Sequence, residues 1–258
     1  MKKIFIAIGC ALLSLVACGS DDASSDVGVA SGSGTTTDNG PPVNFGTTFE
    51  GGQFHLGPVD YEETVWKNAC RPNQNKYASE IRAAQGELLA GLWDGIPNVS
   101  SYCDACVRIT TAKGKTALLR VVTYGVTTEN SIDVSQAAYD LLDSGEYPRT
   151  MSWQFAKCDD TGKIFYEFQQ KASEWWTSLW IRNARVPISK VEVQSANHST
   201  FTEMTRASDG SLNDAKGFGK GPFTLQITGI DGSVVKESFE WPAEGVGGKT
   251  LTGTANFP

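Results

Sequence analysis

Turn signals divide the stretch 162–258 into short runs, and that spacing governs what it can fold into. Runs at 164–168, 175–183, 189–194, 201–205, 223–228 and 234–241 are too short for stable helices and rich in β-branched and aromatic residues. Asp209-Gly210 and Asp231-Gly232 read as hairpin turns. So many short strands in about 95 residues imply a β-sandwich. The stretch before it, 49–161, is also mainly strand-like, with runs at 107–110, 118–124 and 153–157 and a Lys113-Gly114-Lys115 turn. Helical spacing is confined to 79–85 and to 135–142, where Asp133 or Ser135 is placed to cap the start. Long amphipathic helices are missing, so a mostly-β barrel fits better than a βαβ fold.

One run carries more aromatic surface than a single core absorbs: Trp175-Trp176-Thr177-Ser178-Leu179-Trp180-Ile181-Arg182-Asn183. As a strand, it places Trp176, Ser178 and Trp180 on one face and Trp175, Thr177, Leu179 and Ile181 on the other. At least one indole then faces water, unless a bulge intervenes or the sheet is covered on both sides. An exposed flat ring suits the apolar face of a pyranose. Trp175 and Trp176 are the candidate sugar-stacking residues, whereas Trp180 and Trp153 read as core.

The N-terminus addresses the compartment. Lys2-Lys3, the apolar stretch from Ile4 to Leu13 and Leu15-Val16-Ala17-Cys18 read as a secretory signal over 1–17 ending in a lipobox, with Cys18 the lipidated first residue of the mature chain. The apolar stretch is too short to span a bilayer. The expectation is a monomeric bacterial lipoprotein, extracytoplasmic, held to the outer membrane or cell surface only by its lipid. Residues 18–48, rich in Gly, Ser and Thr, form a disordered tether.

Charge narrows the partners. The chain carries 22 basic and 29 acidic residues; without Lys2 and Lys3 the balance is near −9. With no run of Lys or Arg, nucleic acid is excluded as an expected partner. Neutral polysaccharides are favoured over acidic ones. Cys10 leaves with the signal, so Cys70, Cys103, Cys106 and Cys158 remain, an even set for an oxidising compartment with three possible pairings. Cys103-Asp104-Ala105-Cys106 leads into a strand, whereas a redox pair opens a helix. The other cysteines are far apart and the histidines are His55 and His198, so no metal or cofactor is expected.

In this order and at these spacings, several stretches together resemble bacterial expansins. Cys103-Asp104-Ala105-Cys106 is similar to the family's Cys-Gly-x-Cys, with Asp104 in place of Gly, and Ile132-Asp133-Val134-Ser135 to its Leu-Asp-Leu-Ser. Trp175-Trp176, Ile181-Arg182-Asn183 and Pro187-Ile188 resemble its Trp-Trp…Val-Arg-Asn…Pro-Val, and Ile230-Asp231-Gly232 with Val234-Val235 its following hairpin. The resemblance implies an all-β chain: a six-stranded double-psi β-barrel over 49–161, then an immunoglobulin-like sandwich of the family-63 carbohydrate-binding kind over 162–258. It implies that Asp133 is the acid required for wall loosening, with Tyr124 beside it, and that Cys70 pairs with Cys103 and Cys106 with Cys158. This chain departs from the pattern in three places. The family's earlier aspartate falls on Val122, its barrel-entry threonines are absent from Gly51-Gly52-Gln53-Phe54-His55-Leu56, and its third planar aromatic falls near Asp209. Phe201 and Phe218 are the candidate replacements for that aromatic.

Glycosidic hydrolysis normally needs two carboxylates. Asp94, Asp104 and Glu129 are available, but ordinary surface charge accounts for them. The leading expectation is therefore non-lytic binding and loosening of cellulose, xyloglucan or another wall glycan such as peptidoglycan. Asp133-dependent cleavage, of the lytic transglycosylase or endoglucanase type, is the enzymatic alternative. A pure carbohydrate-binding adhesion lipoprotein is the third.

Overall fold

A computed structural model describes residues 45–61, 69–71, 79–159 and 162–258. The signal, Cys18 and the tether as far as residue 44 lie outside the described residues.

Six strands close a barrel: β1 (Thr48–Leu56), β2 (Leu89–Trp93), β3 (Cys106–Thr111), β4 (Thr116–Gly125), β5 (Ile132–Val134) and β6 (Thr150–Ala156). Their order is β1-β5-β2-β4-β3-β6; β1 runs parallel to β5 and β2 to β4, while the other pairs are antiparallel. Strict alternation drives β6, whose Met151, Trp153 and Phe155 point inward. Phe49 stacks on Trp153 and Tyr102 on Phe155, each with ring centroids 4.0 Å apart. β4 is buried continuously from Leu119 to Val122 because both of its faces are covered. Leu119 and Val121 fill the barrel, while Val122 joins Val59, Tyr61, Ile81 and Leu89 in a small second core that Phe165 also touches. The position that the resemblance gave to an acid is a packing position here.

Among the described residues two α-helices, α1 (Ser79–Gln85) and α2 (Gln136–Leu142), and a 3-10 turn at Val99–Tyr102 decorate the barrel. Ser135 is the cap of α2; its hydroxyl accepts from the Ala138 N–H at 3.4 Å. The capping role open to Asp133 is thereby taken, and Asp133 sits one residue from the end of β5. Disulfides join Cys70 to Cys103 and Cys106 to Cys158. Each closes a loop of the unfolded chain, a constraint typically worth ~2–4 kcal/mol.

Nine strands follow: β7 (Phe165–Phe168), β8 (Thr177–Arg182), β9 (Ile188–Ser195), β10 (His198–Glu203), β11 (Thr205–Arg206), β12 (Leu212–Asp214), β13 (Phe223–Gly229), β14 (Val234–Phe239) and β15 (Thr250–Thr252). They form two antiparallel sheets, β10-β9-β13-β14 and β11-β12-β8-β7-β15, enclosing a core that includes Tyr166, Phe168, Leu179, Phe223 and Leu225. The Asp231-Gly232 turn joins β13 to β14, and Gly232 takes the left-handed conformation at φ 80°.

All six residues of β8 are buried, because the sheet is covered on both sides. Leu179 and Ile181 enter the sandwich core, whereas Trp180 and Arg182 face the barrel side. Arg182 Nε donates to Glu167 Oε2 at 2.9 Å, and its Nη groups reach the Cys70 carbonyl at 3.2 and 3.3 Å. Trp180 Nε1 donates to the Asp209 carbonyl at 3.0 Å. That turn abuts the barrel: a Cβ at Gly210 would lie 2.7 Å from Cys103 Cβ.

Asp104 completes the junction and corrects the reading of it as surface charge. It is 3 % exposed and adopts φ 70°, the left-handed region where the family's glycine would be at ease. Its carboxylate accepts from Gln85 Nε2 at 2.6 Å and from the Asn183 N–H at 2.5 Å, and lies 3.6 Å from Arg120 Nη1. Burial pushes the Asp104 carboxyl above its usual range, against the pull of Arg120 and Arg182. A carboxylate so placed ties barrel strand β4 to the end of sandwich strand β8.

Candidate functional site

A groove on the barrel is lined by Pro58, Val59, Gly91, Leu92, Thr123, Tyr124, Gly125, Val126 and Asp133. Its floor follows from strand register. Asp133 pairs with Gly91 on one side and His55 on the other, and Gly91 pairs with Thr123, so these positions share the outward face. Gly57 makes room for the acid and Gly91 for its neighbour Thr123. A Cβ at Gly57 would fall 2.7 Å from Asp133 Cβ, and one at Gly91 would fall 2.9 Å from Thr123 Cγ2. The glycine inside the apolar run Leu88-Leu89-Ala90-Gly91-Leu92-Trp93 is the sequence signal for this close approach.

Asp133 is half-buried, and its carboxylate has no hydrogen-bond partner among the described residues. Burial raises its carboxyl above the usual range, and His55 opposes that rise. Among the described lining residues it is the sole carboxylate. Asp94 and Glu129 are exposed and line no part of the groove, and Asp104 is held in the domain junction. Val126 stands on the rim almost fully exposed, at 93 %.

Tyr124 links the groove to the sandwich. Its ring forms part of the groove wall, and its hydroxyl donates to the Ser208 carbonyl. Ser208 lines a second hollow together with Trp176, Gln169, Thr205, Asp209 and Asn213. The acid of the barrel and an indole of the sandwich thus border one surface, with Tyr124 and Ser208 between them.

The tryptophan pair does not open the strand, as the run of residues suggests. Ser173 to Trp176 form a tight turn closed by a bridge between its ends, and β8 begins at Thr177. The Ser173 N–H donates to the Trp176 carbonyl at 2.8 Å, and Thr177 Oγ1 to the Ser173 carbonyl at 3.0 Å. Gly217 (φ 67°) lies directly beneath, since a Cβ there would meet the Glu174 carbonyl oxygen at 2.3 Å. The Gly219 N–H and the Asn197 side chain also hold the Glu174 carbonyl, at 2.9 and 3.4 Å. Trp175, at the tip, is 72 % exposed, while Trp176 is half-buried in the hollow. A rigid turn therefore presents the indole that strand alternation alone left undecided.

Of the two candidate replacement aromatics, Phe218 is buried in the sandwich core against Phe223 and is not available to a ligand. Phe201 is half-buried, with the Lys236 ammonium 5.0 Å from its ring centre.

Comparison with known proteins agrees with this architecture. Residues 161–257 match the family model described as expansin-like protein middle domain. The chain is 25 % identical over 216 residues to Expansin-YoaJ of Bacillus subtilis (strain 168), covering 83 % of each protein. It is 26 % identical over 111 residues to Expansin-like protein 6 of Dictyostelium discoideum, covering 42 % of this chain and 38 % of that one. The fold is similar to that of apo Clavibacter michiganensis expansin, with TM-score 0.65 and 18 % identity, covering 81 % of this chain and 97 % of the other. A mutant of that expansin solved in complex with cellohexaose gives TM-score 0.65 at 17 % identity, covering 81 % and 98 %. The chain is thus similar in sequence to Expansin-YoaJ over most of its length and similar in fold to the Clavibacter expansin.

Proposed function

We propose that this protein binds and loosens a wall polysaccharide of the cellulose or hemicellulose kind without cutting it. The observation that carries the reading is Asp133: a half-buried carboxylate, without a hydrogen-bond partner among the described residues, in a groove joined through Tyr124 to the tryptophan hollow. A carboxylate accepts hydroxyl hydrogen bonds at both oxygens. Half-buried and without a donor among the described residues, the group is open to a sugar hydroxyl that donates to it. Trp175 supplies the stacking platform. Covering half of an indole removes on the order of 100 Å² of apolar surface, worth at most about 2–3 kcal/mol. Trp176 and Tyr124 extend the contact toward Asp133, so one chain engages both bodies. Cellohexaose in the related Clavibacter complex supports an oligomeric glucan as the ligand.

The test is depletion of the full chain by insoluble cellulose, xylan and peptidoglycan, with analysis of the supernatant. Binding without soluble products, weakened in Trp175→Ala and Asp133→Asn, is the expected result. The raised Asp133 carboxyl also suits a proton donor, which favours cleavage as the second reading. Soluble oligosaccharides that vanish in Asp133→Asn would establish it. We further propose an extracytoplasmic lipoprotein anchored at Cys18, on the strength of the Leu15-Val16-Ala17-Cys18 lipobox and the two disulfides. Cys18→Ala should then release the protein from the membrane fraction.

A further inference from the structure

The hollow that holds Trp176 has a floor set by strand register. Gln169, just past the end of β7, donates its main-chain N–H to the Ser178 carbonyl at 2.9 Å; Ser178 pairs with Asn213 of β12, and Asn213 with Thr205 of β11. Register partners on neighbouring strands project to the same face, so these residues form one polar row across the sheet. It lies opposite the face on which Leu179 and Ile181 enter the core. Trp176 and the turn carrying Ser208 and Asp209 complete the wall.

The hollow encloses about 440 Å³, within the roughly 300–1,000 Å³ of small-molecule sites. The Gln169 amide and the Thr205 and Ser208 hydroxyls have no side-chain hydrogen bond among the described residues. Asn213 Nδ2 reaches the Ser211 carbonyl and hydroxyl at 3.5 and 3.3 Å, which leaves its Oδ1 open. Amides and hydroxyls complement sugar hydroxyls as donors and as acceptors, and the indole of Trp176 offers its face to a pyranose. Among the described lining residues Asp209 carries the one charge, and its Oδ1 accepts the Ser211 N–H at 3.0 Å. A neutral ligand is favoured. Shape decides where that sugar comes from. Trp175 stands exposed at the tip of its turn, while Trp176 is half-buried. A bare glucan ribbon lying flat on Trp175 passes over the concavity without filling it, whereas a sugar branching from the ribbon drops into it.

We propose that this hollow is the subsite of a neutral sugar branch, so that the protein prefers a branched glucan backbone to a bare one. The proposal rests on the glycan reading of the surface and names the substrate class within it: side-chain-bearing hemicellulose rather than plain cellulose.

Calorimetric titration of the full chain with cellotetraose, and with the xyloglucan oligosaccharide that carries xylosyl branches on that same backbone, tests it. The wild type should bind the branched sugar roughly five- to thirtyfold more tightly, the worth of about one or two hydrogen bonds. Gln169→Leu removes the free amide, and Ala215→Phe fills the hollow from an exposed lining position. Each should bring the two affinities together, with a melting curve to check that the fold is kept. Trp175→Ala should weaken both sugars by the same factor, because it grips the backbone they share. Equal affinity of the wild type for the two sugars, or a preference that survives both hollow substitutions, overturns the proposal and leaves the glycan reading in place. Binding of neither sugar overturns both.

Discussion

The Tyr124 hydroxyl donates a hydrogen bond to the Ser208 carbonyl, so a wall residue of the barrel groove is fastened to the turn that borders the tryptophan hollow. Under the proposed reading, one glycan chain would meet the Asp133 carboxylate and the indoles without the two bodies reorganising, which lowers the ordering cost of binding.

Tyr124→Phe keeps the ring and removes the tie. Stability should fall by no more than about 1 kcal/mol, because the bond is exposed. Cellohexaose binding should weaken more than cellobiose binding, since the longer ligand needs both bodies held in register. Calorimetric titration of the two sugars checks this, and equal losses would contradict it.

Trp175→Ala removes an indole that is 72 % exposed on a turn held by its neighbours. Cellulose affinity should drop by about tenfold, and by no more than about a hundredfold, with the melting temperature unchanged. A depletion isotherm run alongside a melting curve separates the two effects. Trp180→Ala, by contrast, deletes a buried ring of the domain junction and should cost about 3–5 kcal/mol of stability.

Asp104→Ala strips the acceptor from Gln85 Nε2 and the Asn183 N–H and removes the carboxylate beside Arg120, whose Nη1 still donates to the main-chain carbonyl of residue 104. Breaking one side of such a buried pair costs about 3–5 kcal/mol. Asp104→Gly should lose about 1 kcal/mol less, because glycine accepts φ 70° without strain. Denaturant unfolding of the three proteins tests the order wild type, Gly, Ala.

Asp133→Asn should stabilise the fold at neutral pH. The folded-state carboxyl is raised by burial, so the native protein binds the proton more readily than the unfolded chain. Wild-type stability therefore declines as pH rises from the unfolded value through the folded one, and the ionised, half-desolvated acid carries that cost at pH 7. The advantage of Asn should shrink as the medium is acidified through the Asp133 titration. Melting curves across pH would reveal it, and an Asn advantage that grows with acidification would contradict it.

Much of the local structure was legible because it is local. The helical spacing at 79–85 matches α1, Ser135 proved to be one of the two caps named for α2, and the Asp231-Gly232 turn links β13 to β14. The start of β8 was misplaced because Trp175-Trp176 has strong strand propensity, while the turn is imposed from below by Gly217 and Asn197, remote in sequence. Asp104 read as surface charge because its partners, Gln85, Arg120 and Asn183, come from three separate elements. The sequence gives no local sign that an acid flanked by cysteines will be buried.

Alternation and turn residues were enough to specify an all-β chain with a barrel followed by a sandwich and to single out the tryptophan pair, whereas Asp133 and Tyr124 were named through the resemblance to expansins. Those features depend on neighbours a few residues away. Which indole faces water, which acid is free and which is tied down, and whether the two bodies present one surface were decided by tertiary packing alone. Burial and hydrogen-bond satisfaction are properties of residues brought together from distant positions, and no periodicity along the chain encodes them.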